Sequence, residues 1–290
     1  MKFAFVILHY NVLEETEKCI ESIKTRCDAD DYAIIVVDNK SPNDSGSILN
    51  KKYADDTKVA VILNDKNLGF ANGNNVGIYS ARKEYGADFV TVMNNDTYLV
   101  QDDFCSVIKQ EWEKSGFAVL GPRVHTFSGT NQNPVVCKIT STKEVDFWIR
   151  HHIYGLIRTC LGVDNLYLEI KKCVKKMLGY KNNVDRKKDS LDNVRQENVK
   201  LHGCCFVFSP KFFEFFDGFD NRTFMYSEED ILYTHVKKKG LLTVYNPKLE
   251  IFHAEKAATK SVTKTSRKRM IFVYREGIKS LKILKDVLRE

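Results

Sequence analysis

Three adjacent carboxylates, Glu228, Glu229 and Asp230, are the clearest candidates for acid–base chemistry in this sequence. Neighbouring carboxylates repel one another, which raises the pKa of at least one of them. A raised pKa suits a general base that must take a proton from a hydroxyl group. The same cluster also fits the first turn of a helix, where acidic side chains interact favourably with the helix dipole. Both interpretations predict that a helix begins here.

A second candidate is the stretch Asn94-Asn95-Asp96-Thr97, which follows an apolar run. Mg²⁺ and Mn²⁺ bind one or two carboxylates, with phosphate oxygens and water completing their shell. Asp96 is therefore a candidate ligand for a cation that neutralises a diphosphate. His253, after a late apolar stretch, is a candidate partner because imidazole is a common metal ligand. Each feature taken alone is equally compatible with a polar turn or an ordinary histidine.

Asp38 ends the apolar run that contains Val36 and Val37. Its carboxylate could accept a hydrogen bond from the imide N–H of a uracil or thymine base, or from ribose hydroxyls. The alternative is an Asx turn or a helix cap. The sequence contains neither G-x-G-x-x-G nor G-x-x-x-x-G-K-[ST], which disfavours dinucleotide and P-loop chemistry.

The elements that must position these residues alternate between strand and helix patterns. Predicted strands cover 3–8, 33–37, 59–63, 89–93 and 117–120, and predicted helices cover 13–25, 44–53, 70–85 and 102–114. Such βα repeats predict an α/β fold with an open, mostly parallel sheet and helices on both faces. Ligands bind at the carboxyl ends of such strands, so we expect the polar residues that follow them to share one rim.

The alternation of strand and helix patterns stops between 137 and 200. This stretch is lysine-rich and has amphipathic pieces at 147–161 and 166–178. We interpret it as a basic, partly helical insertion without a clear strand. Strand and helix patterns return at 201–209, 228–239 and 241–245. The predicted organisation is a catalytic domain over 1–255 that contains this insertion, followed by a tail over 256–290.

The tail carries most of the excess positive charge. It contains eleven Lys and Arg against three Asp and Glu, a net charge of +8 in a chain whose total is +7. From residue 267 it is predicted to be an amphipathic helix with Ile271, Tyr274, Ile278, Leu281, Leu284 and Leu288 on one face. This face suits an interfacial helix on an anionic membrane, or packing against the catalytic domain.

Composition narrows the classes of protein further. No apolar run is long enough to cross a bilayer, and the apolar start fits a buried strand better than a leader. We therefore expect a cytoplasmic protein, peripheral at the inner face of the membrane. The eight cysteines include no C-x-x-C pair and are expected to be reduced thiols. No nucleic-acid partner is expected.

Considered together, these motifs resemble glycosyltransferase family 2, in its bacterial branch of rhamnosyltransferase-like and O-antigen or capsule polysaccharide enzymes. They occur in that family's order. The matching stretches are 6–11 (VILHYN), 36–42 (VVDNKSP), 67–77 (NLGFANGNNVG), 93–97 (MNNDT), 218–220 (GFD), 226–230 (YSEED), 239–240 (KG) and 252–253 (FH).

The resemblance implies a GT-A fold, with a Rossmann-like nucleotide-binding half and an acceptor half. It implies inverting transfer of a sugar from a UDP- or dTDP-sugar to a hydroxyl of a glycan or lipid-linked acceptor, in surface polysaccharide biosynthesis. It implies a Mn²⁺ or Mg²⁺ ion held by Asp96 and His253, and a general base at Glu229, flanked by Glu228 and Asp230. Asp38 would read the nucleotide. The other predicted donor-binding residues are His9, Tyr10, Asn11, Asn67, Gly69, Phe70, Asn74, Asn75, Asn94 and Asn95.

The sequence departs from the family pattern in several places. His9 stands where threonine is common, and Asn94 stands where many members have an aspartate. Ile231 and His235 occupy positions often filled by an acid and an arginine. Two alternatives are a nucleotidyltransferase-like enzyme and a non-enzymatic module that binds anionic surfaces. The first usually has a glycine-rich, basic loop after its first strand, and the second does not explain a polar rim.

Overall fold

The computed structural model describes residues 1–164, 167, 192–255 and 266–290. The predicted amphipathic piece at 166–178 lies almost entirely outside these residues. Within them, a nine-stranded sheet runs through the molecule. Alternate residues of its first strand enter two different apolar clusters, Phe3, Phe5 and Ile7 on one face and Ala4 and Val6 on the other. The sheet is therefore covered on both faces, as its continuous apolar strands predict.

The first half of the chain confirms the predicted βα repeats. Its strands are β1 (Phe3–His9), β2 (Tyr32–Asp38), β3 (Val59–Leu63) and β4 (Phe89–Asn94), and its helices are α1 (Leu13–Arg26), α2 (Ser45–Lys52), α3 (Gly69–Lys83) and α4 (Phe104–Ser115). The strands lie in the order β3-β2-β1-β4 and are all parallel. His9 pairs with Asp38, and Leu8 pairs with Asn94, so the carboxyl ends of three strands form one rim.

The second half of the sheet is mixed rather than mostly parallel. It contains β5 (Thr97–Leu99), β6 (Val119–Thr126), β7 (Gln196–Glu197), β8 (Cys205–Phe208) and β9 (Thr243–His253). The order continues β4-β8-β6-β9-β5, with β7 also on β9. β8 is antiparallel to both of its neighbours, and β9 is parallel to β6 but antiparallel to β5 and β7.

Three differences from the predicted strands have local reasons. β5 and β7 were not predicted, because strands of three and two residues are too short to show a period of two. β9 continues from the predicted 241–245 through Pro247 to His253, and a register shift in β6 between Pro122 and Arg123 accommodates it.

The later helices are α5 (Thr142–Leu161), α6 (Pro210–Phe213), α7 (Glu228–Lys238) and α8 (Ser266–Arg289). α5 begins five residues before the predicted 147. The reason is a capping box, in which Ser141 accepts from the Glu144 N–H and the Glu144 carboxylate accepts from the Ser141 N–H.

The tail helix packs on the rest of the chain through its apolar face. Leu281, Leu284 and Val287 are buried in one cluster with Val145 of α5 and Ile231 of α7. Of the two expectations for this face, the structure shows packing against the rest of the chain, on α5 and α7. The face is therefore not available to a lipid surface.

Two further observations concern the described residues. None of their helices is both long and apolar enough to cross a membrane. Their cysteines are free thiols. Cys27 Sγ and Cys105 Sγ lie 3.6 Å apart, within hydrogen-bond distance.

The contact between α5 and α8 depends on small residues, which gives a testable prediction. A Cβ at Gly155 would lie 2.4 Å from Tyr274 Cζ, within a buried ring. Alanine normally stabilises a helix interior by about 1 kcal/mol relative to glycine. Here we expect Gly155→Ala to destabilise the protein instead, by about 1–3 kcal/mol, because the ring must move. Urea unfolding measures the difference.

A double-mutant cycle supplies the control. In a Tyr274→Leu background the clash is removed, so Gly155→Ala should cost less there than in the wild type. Equal costs in both backgrounds would show that this contact does not set the helix spacing.

Candidate active site

A cavity of about 350 Å³ opens at the rim formed by the strand ends. Its walls come from the loops after β1, β2, β3 and β4, from the segment before β8, and from the first residues of α7. The lining residues are Leu8, Tyr10, Asn39, Asn67, Gly69, Phe70, Asn94, Asn95, Asp96, His202, Gly203, Cys204, Met225, Tyr226, Ser227, Glu228 and Glu229. Nine of the residues predicted from the sequence lie here: Tyr10, Asn67, Gly69, Phe70, Asn94, Asn95, Asp96, Glu228 and Glu229.

Two acids, Glu228 and Glu229, enter the cavity from the first turn of α7. The two residues before them, Tyr226 and Ser227, have φ angles of 76° and 63°. Side chains other than glycine rarely adopt this left-handed region, and consecutive cases mark a constrained segment. The strained segment turns the chain sharply, so that the helix starts with its carboxylates directed at the rim.

Burial raises the pKa of both acids. Burial first, and then the charge of Glu229, raise the pKa of Glu228 to about 8. The Oε1 atom of Glu228 is buried and has no hydrogen-bond partner in the described structure. Burial also raises the pKa of Glu229, but the cation of Lys200 opposes this shift. Glu228 therefore holds its proton more tightly than an exposed glutamate does, and the Lys200 cation favours the ionised form of Glu229.

Gly203 leaves room for the Glu229 carboxylate. A Cβ on Gly203 would lie 2.5 Å from Glu229 Oε1, closer than any real contact. A larger residue would displace the carboxylate. Asp230, the third acid of the cluster, does not line the cavity. Its Oδ1 accepts from Lys200 Nζ at 2.8 Å in a buried ion pair outside the cavity.

Asp96 and His253 meet because β5 pairs with β9, which places Thr97 opposite His253. His253 Nε2 lies 3.3 Å from Asp96 Oδ1, and both side chains are buried. His253 Nδ1 lies 2.7 Å from Gln132 Oε1. If Nδ1 donates to that oxygen, Nε2 carries no proton and presents a lone pair to Asp96.

This pair is chemically suited to a divalent cation. Neither Asp96 Oδ2 nor His253 Nε2 has a hydrogen-bond partner in the described structure, although both atoms are buried. Two lone-pair donors that face each other without a hydrogen bond are stabilised by a positive charge between them. Among the described residues, no group of three or more His, Cys, Asp or Glu side chains could hold an ion. The protein therefore offers part of a coordination shell, which phosphate oxygens and water would complete.

Cys204 lines the cavity together with Asp96 and Glu229. Its thiol is fully buried, and burial together with the charges of Cys205, Asp96 and Glu229 raises its pKa well above the usual value. A small buried thiol fills this part of the cavity wall without adding a charge.

His9, a predicted donor-binding residue, lies beneath the rim instead of lining the cavity. It is fully buried, with Nδ1 2.6 Å from Thr16 Oγ1 and Nε2 2.7 Å from Ser45 Oγ. Burial lowers the pKa of His9 to about 4, so the ring is neutral. The ring joins β1 to α1 and α2 and holds the first two strand ends together.

Asp38 forms the local turn that was the alternative to nucleotide binding. Its Oδ1 accepts from the Ser41 hydroxyl at 2.5 Å, and the Ser41 N–H lies 3.2 Å from the same carboxylate. The side chain does not line the cavity, although the next residue does. Asn39 Oδ1 accepts from the Leu68 N–H at 2.8 Å, and Asn39 Nδ2 donates to the Gly69 carbonyl at 2.9 Å. Asn39 therefore joins the loops after β2 and β3.

Gly69 occupies a position that only glycine fits. Its φ is 79°, and a Cβ there would lie 2.0 Å from the Phe224 carbonyl oxygen. That same oxygen accepts from the Phe70 N–H at 2.7 Å. The NLGF stretch is therefore joined directly to the segment that leads into the acid pair.

The remaining predicted residues hold loops in place. Asn74 Nδ2 donates to the Phe70 carbonyl, and Asn75 exchanges hydrogen bonds with the backbone of Phe219 at 2.8 and 2.9 Å. The Asn11 N–H donates to Ser41 Oγ at 2.9 Å. These side chains shape the site from outside the cavity.

The sequence prediction missed eight of the lining residues: Leu8, Asn39, His202, Gly203, Cys204, Met225, Tyr226 and Ser227. Four of them lie within motifs that the sequence analysis recognised, and those motifs could have identified them as site residues: Leu8, Asn39, Tyr226 and Ser227. His202, Gly203 and Cys204 carry no local pattern. They reach the rim because Asn94 N–H donates to the Cys204 carbonyl at 2.9 Å, which is a tertiary contact.

Comparison with known proteins agrees with this architecture. The family model described as Glycosyl transferase family 2 matches residues 4–169. The chain therefore belongs to glycosyltransferase family 2, and the nucleotidyltransferase and non-enzymatic alternatives lose their support. Glycosyltransferase GlyG of Streptococcus pneumoniae serotype 4 is 28% identical over 116 residues, which cover 40% of this chain and 37% of GlyG.

Solved structures of S. aureus TarS share the fold. TarS 1-349 aligns with a TM-score of 0.54 at 13% identity, over 88% of this chain and 60% of that one. The same fragment in complex with UDP aligns with a TM-score of 0.53 at 12% identity, over 94% and 65%. The chain thus spans about a third of GlyG and under two thirds of these TarS fragments. The likeness shows that the fold is of the GT-A type.

The pKa of Glu228 predicts how stability depends on pH. The folded protein keeps the Glu228 proton up to about pH 8, whereas the ordinary value for an unfolded chain is 4.5. Between these values the folded state binds more protons, so this group lowers the free energy of unfolding as pH rises. We expect Glu228→Gln to stabilise the protein by up to about 5 kcal/mol at about pH 9, and by less than about 1 kcal/mol at about pH 5.

Thermal unfolding at both pH values measures this difference. Glu214→Gln is the matched control, because Glu214 is an exposed acid paired with Lys211. A stabilisation by Glu228→Gln that is the same at both pH values would mean that the carboxyl is not protonated in the folded protein.

Proposed function

We propose that this family 2 enzyme transfers a sugar from a nucleotide-diphosphate donor to an acceptor hydroxyl with inversion at the anomeric carbon. The observation that carries the proposal is that one cavity is lined by Asp96, Glu228 and Glu229, while His253, which does not line it, lies 3.3 Å from Asp96. The Asp96–His253 pair suits a diphosphate with its cation, and the Glu228–Glu229 pair suits removal of a proton. Inversion requires the base and the leaving group on opposite sides of the sugar.

The donor is proposed to be a UDP- or dTDP-sugar. The TarS fragment that shares this fold has been crystallised in complex with UDP. In this chain, Tyr10, Asn39 and Asn67 line the cavity, and Asp38 precedes Asn39 in the chain. The role of Asp38 as nucleotide reader stands as a prediction.

Asp96 and His253 are proposed to hold Mn²⁺ or Mg²⁺ together with the diphosphate. When bound, such an ion offsets the negative charge that grows on the departing nucleoside diphosphate. Asp96 follows the end of β4, and His253 ends β9, so the pairing of β5 with β9 brings the two proposed ligands together. Asn94 and Asn95 line the same wall and add neutral amide groups, so the charge of the protein site comes from one carboxylate.

Glu229 is proposed to be the general base. Its carboxylate takes the proton from the acceptor hydroxyl while the acceptor oxygen bonds to the anomeric carbon. The bond between that carbon and the diphosphate oxygen breaks, and its electron pair leaves with the diphosphate. A raised pKa makes Glu229 a stronger base than an exposed glutamate, and Lys200 keeps it ionisable. Protonated Glu228 is a hydrogen-bond donor beside it, able to hold the acceptor without competing for its proton.

The acceptor is proposed to be a glycan or a lipid-linked sugar in surface polysaccharide biosynthesis, in a cytoplasmic setting. The support is the open acid side of the cavity, where Met225 and Tyr226 give apolar and aromatic surface beside Glu229. Sugars bind well to such surfaces through their C–H faces and hydroxyls.

The role of Glu229 can be tested directly. Glu229→Gln preserves size and most hydrogen bonds but cannot accept a proton. We expect KM for the donor to be nearly unchanged and kcat to fall by roughly 10²-fold or more. Turnover of a panel of nucleotide-sugars, followed by released nucleoside diphosphate, measures both parameters.

Neighbouring variants control for the identity of the base. Glu228→Gln should keep most activity if Glu228 acts in its protonated form, and Asp230→Asn should lose stability first because it breaks the Lys200 pair. Normal turnover in Glu229→Gln together with an inactive Glu228→Gln would mean that Glu228 is the general base.

The metal site can be tested by binding alone. In the wild type, UDP should raise Tm more with Mn²⁺ than with EDTA, because each ligand that binds only the folded state stabilises it. We expect Asp96→Asn to remove the part of this shift that depends on Mn²⁺, and to abolish activity. Asp102→Asn changes an exposed aspartate paired with Arg26 and is the matched control.

Full activity of the wild type in EDTA would contradict the metal assignment. So would an Asp96→Asn variant whose UDP-dependent shift responds to Mn²⁺ as strongly as that of the control.

A further inference from the structure

Helix α5 is apolar on two opposite sides. On its inner side, Val145, Gly155 and Thr159 are buried toward α8 and α7. On its outer side, Phe147, Ile153, Tyr154, Ile157 and Leu161 are between 42% and 71% exposed. We call these five residues the outer face of α5. A contiguous exposed apolar face of this kind marks an interaction surface.

The outer face is accompanied by positive charge. Lys143 and Arg150 are exposed on the same side of the helix. At its C-terminal end, Arg267 Nε of α8 donates to the Thr159 carbonyl at 3.0 Å. This bond, with a second from Arg267 to the Cys160 carbonyl, holds the exposed Arg267 at the last turn of α5.

The two acids of α5 do not oppose this charge. Glu144 is used in the capping box at the start of the helix, where its carboxylate accepts from the Ser141 N–H at 3.0 Å. Asp146 accepts from Lys285 Nζ at 2.5 Å. The surface that remains on the outer side combines large apolar side chains with cations.

We propose that the outer face of α5 and the basic start of α8 form a docking surface for an anionic lipid membrane. Aromatic and aliphatic side chains on such a helix enter the boundary between headgroups and acyl chains, while lysine and arginine attract anionic headgroups. A second copy of this chain fits less well. In a two-fold interface built on this face, the cations of one copy would face the cations of the other, and like charges would repel.

The docking surface is connected to the acid side of the cavity. Phe272 of α8 contacts Phe224 and Tyr226, with ring centroids 6.3 and 6.5 Å apart. Trp148 and His152 of α5 border a 190 Å³ cavity that Tyr226 also lines. Docking would therefore hold Glu229 near a lipid-borne acceptor. That use rests on the proposed transfer reaction, whereas the docking itself does not.

Vesicle flotation of the full chain tests the docking without any measurement of activity. The probes are phosphatidylcholine vesicles with and without phosphatidylglycerol. Ile157→Glu places a charge in the outer face, and Ile48→Glu is the matched control on α2, since Ile157 and Ile48 are 53% and 48% exposed. We expect the wild type and Ile48→Glu to float with anionic vesicles, and Ile157→Glu to be recovered about tenfold less. Arg150→Glu should weaken flotation on anionic vesicles only.

Several results would overturn the proposal. One is equal recovery of the wild type on neutral and anionic vesicles. Another is equal recovery of Ile157→Glu and Ile48→Glu. A third is a dimer in light scattering that Ile157→Glu dissociates, because a second copy would then cover this face. Thermal unfolding should show an unchanged Tm for Ile157→Glu. If that variant unfolds, Leu161→Glu, at the helix end and 71% exposed, replaces it.

Discussion

Buried carboxylate oxygens that lack a hydrogen-bond partner are the constraint on which the rest of this structure depends. Glu228 Oε1 and Asp96 Oδ2 are buried and have no hydrogen-bond partner in the described residues. Leaving such groups unpaired costs free energy, so the surrounding frame must be stiff enough to prevent them from turning outward. Two apolar clusters supply that stiffness, because they clamp the sheet from both faces.

The frame fixes the site through close backbone contacts. Gly69 brings its loop against the Phe224 carbonyl, and Gly203 leaves only enough room for the Glu229 carboxylate. The left-handed residues Tyr226 and Ser227 stand between these two points. Each contact links different segments of the chain, so the loop after β3 and the acid pair are held in one arrangement. Such strain is characteristic of sites where geometry must be held before a ligand arrives.

The tail and the insertion extend this unit. α8 covers α5 with its apolar face and reaches Tyr226 through Phe272, so the helical pair borders the segment that aims the acids. The packing of α8 on α5 therefore places basic residues of the tail, such as Arg267, beside α5. A basic tail in this fold is a part of the packed structure, and its exposed cations take their position from α5.

The sequence by itself determined the parallel half of the sheet, since β1 to β4 are continuous apolar runs whose local pattern suffices to place them. It also determined the chemical types at the strand ends and the acidic start of α7. Its motifs indicated a family that the comparison with known proteins confirmed. These are properties that short stretches of chain carry on their own.

Only the tertiary structure decided which of these residues meet. Asp96 and His253 are far apart in sequence and are joined by the short β5–β9 ladder, which has too few residues to show a period. Asp230 turns to Lys200 while Glu228 and Glu229 face the cavity, because successive residues on a helix point in different directions. His9 lies beneath the rim, and the apolar face of α8 is covered by α5 and α7. Periodicity shows that a face is apolar, but the partner of that face depends on contacts between distant segments.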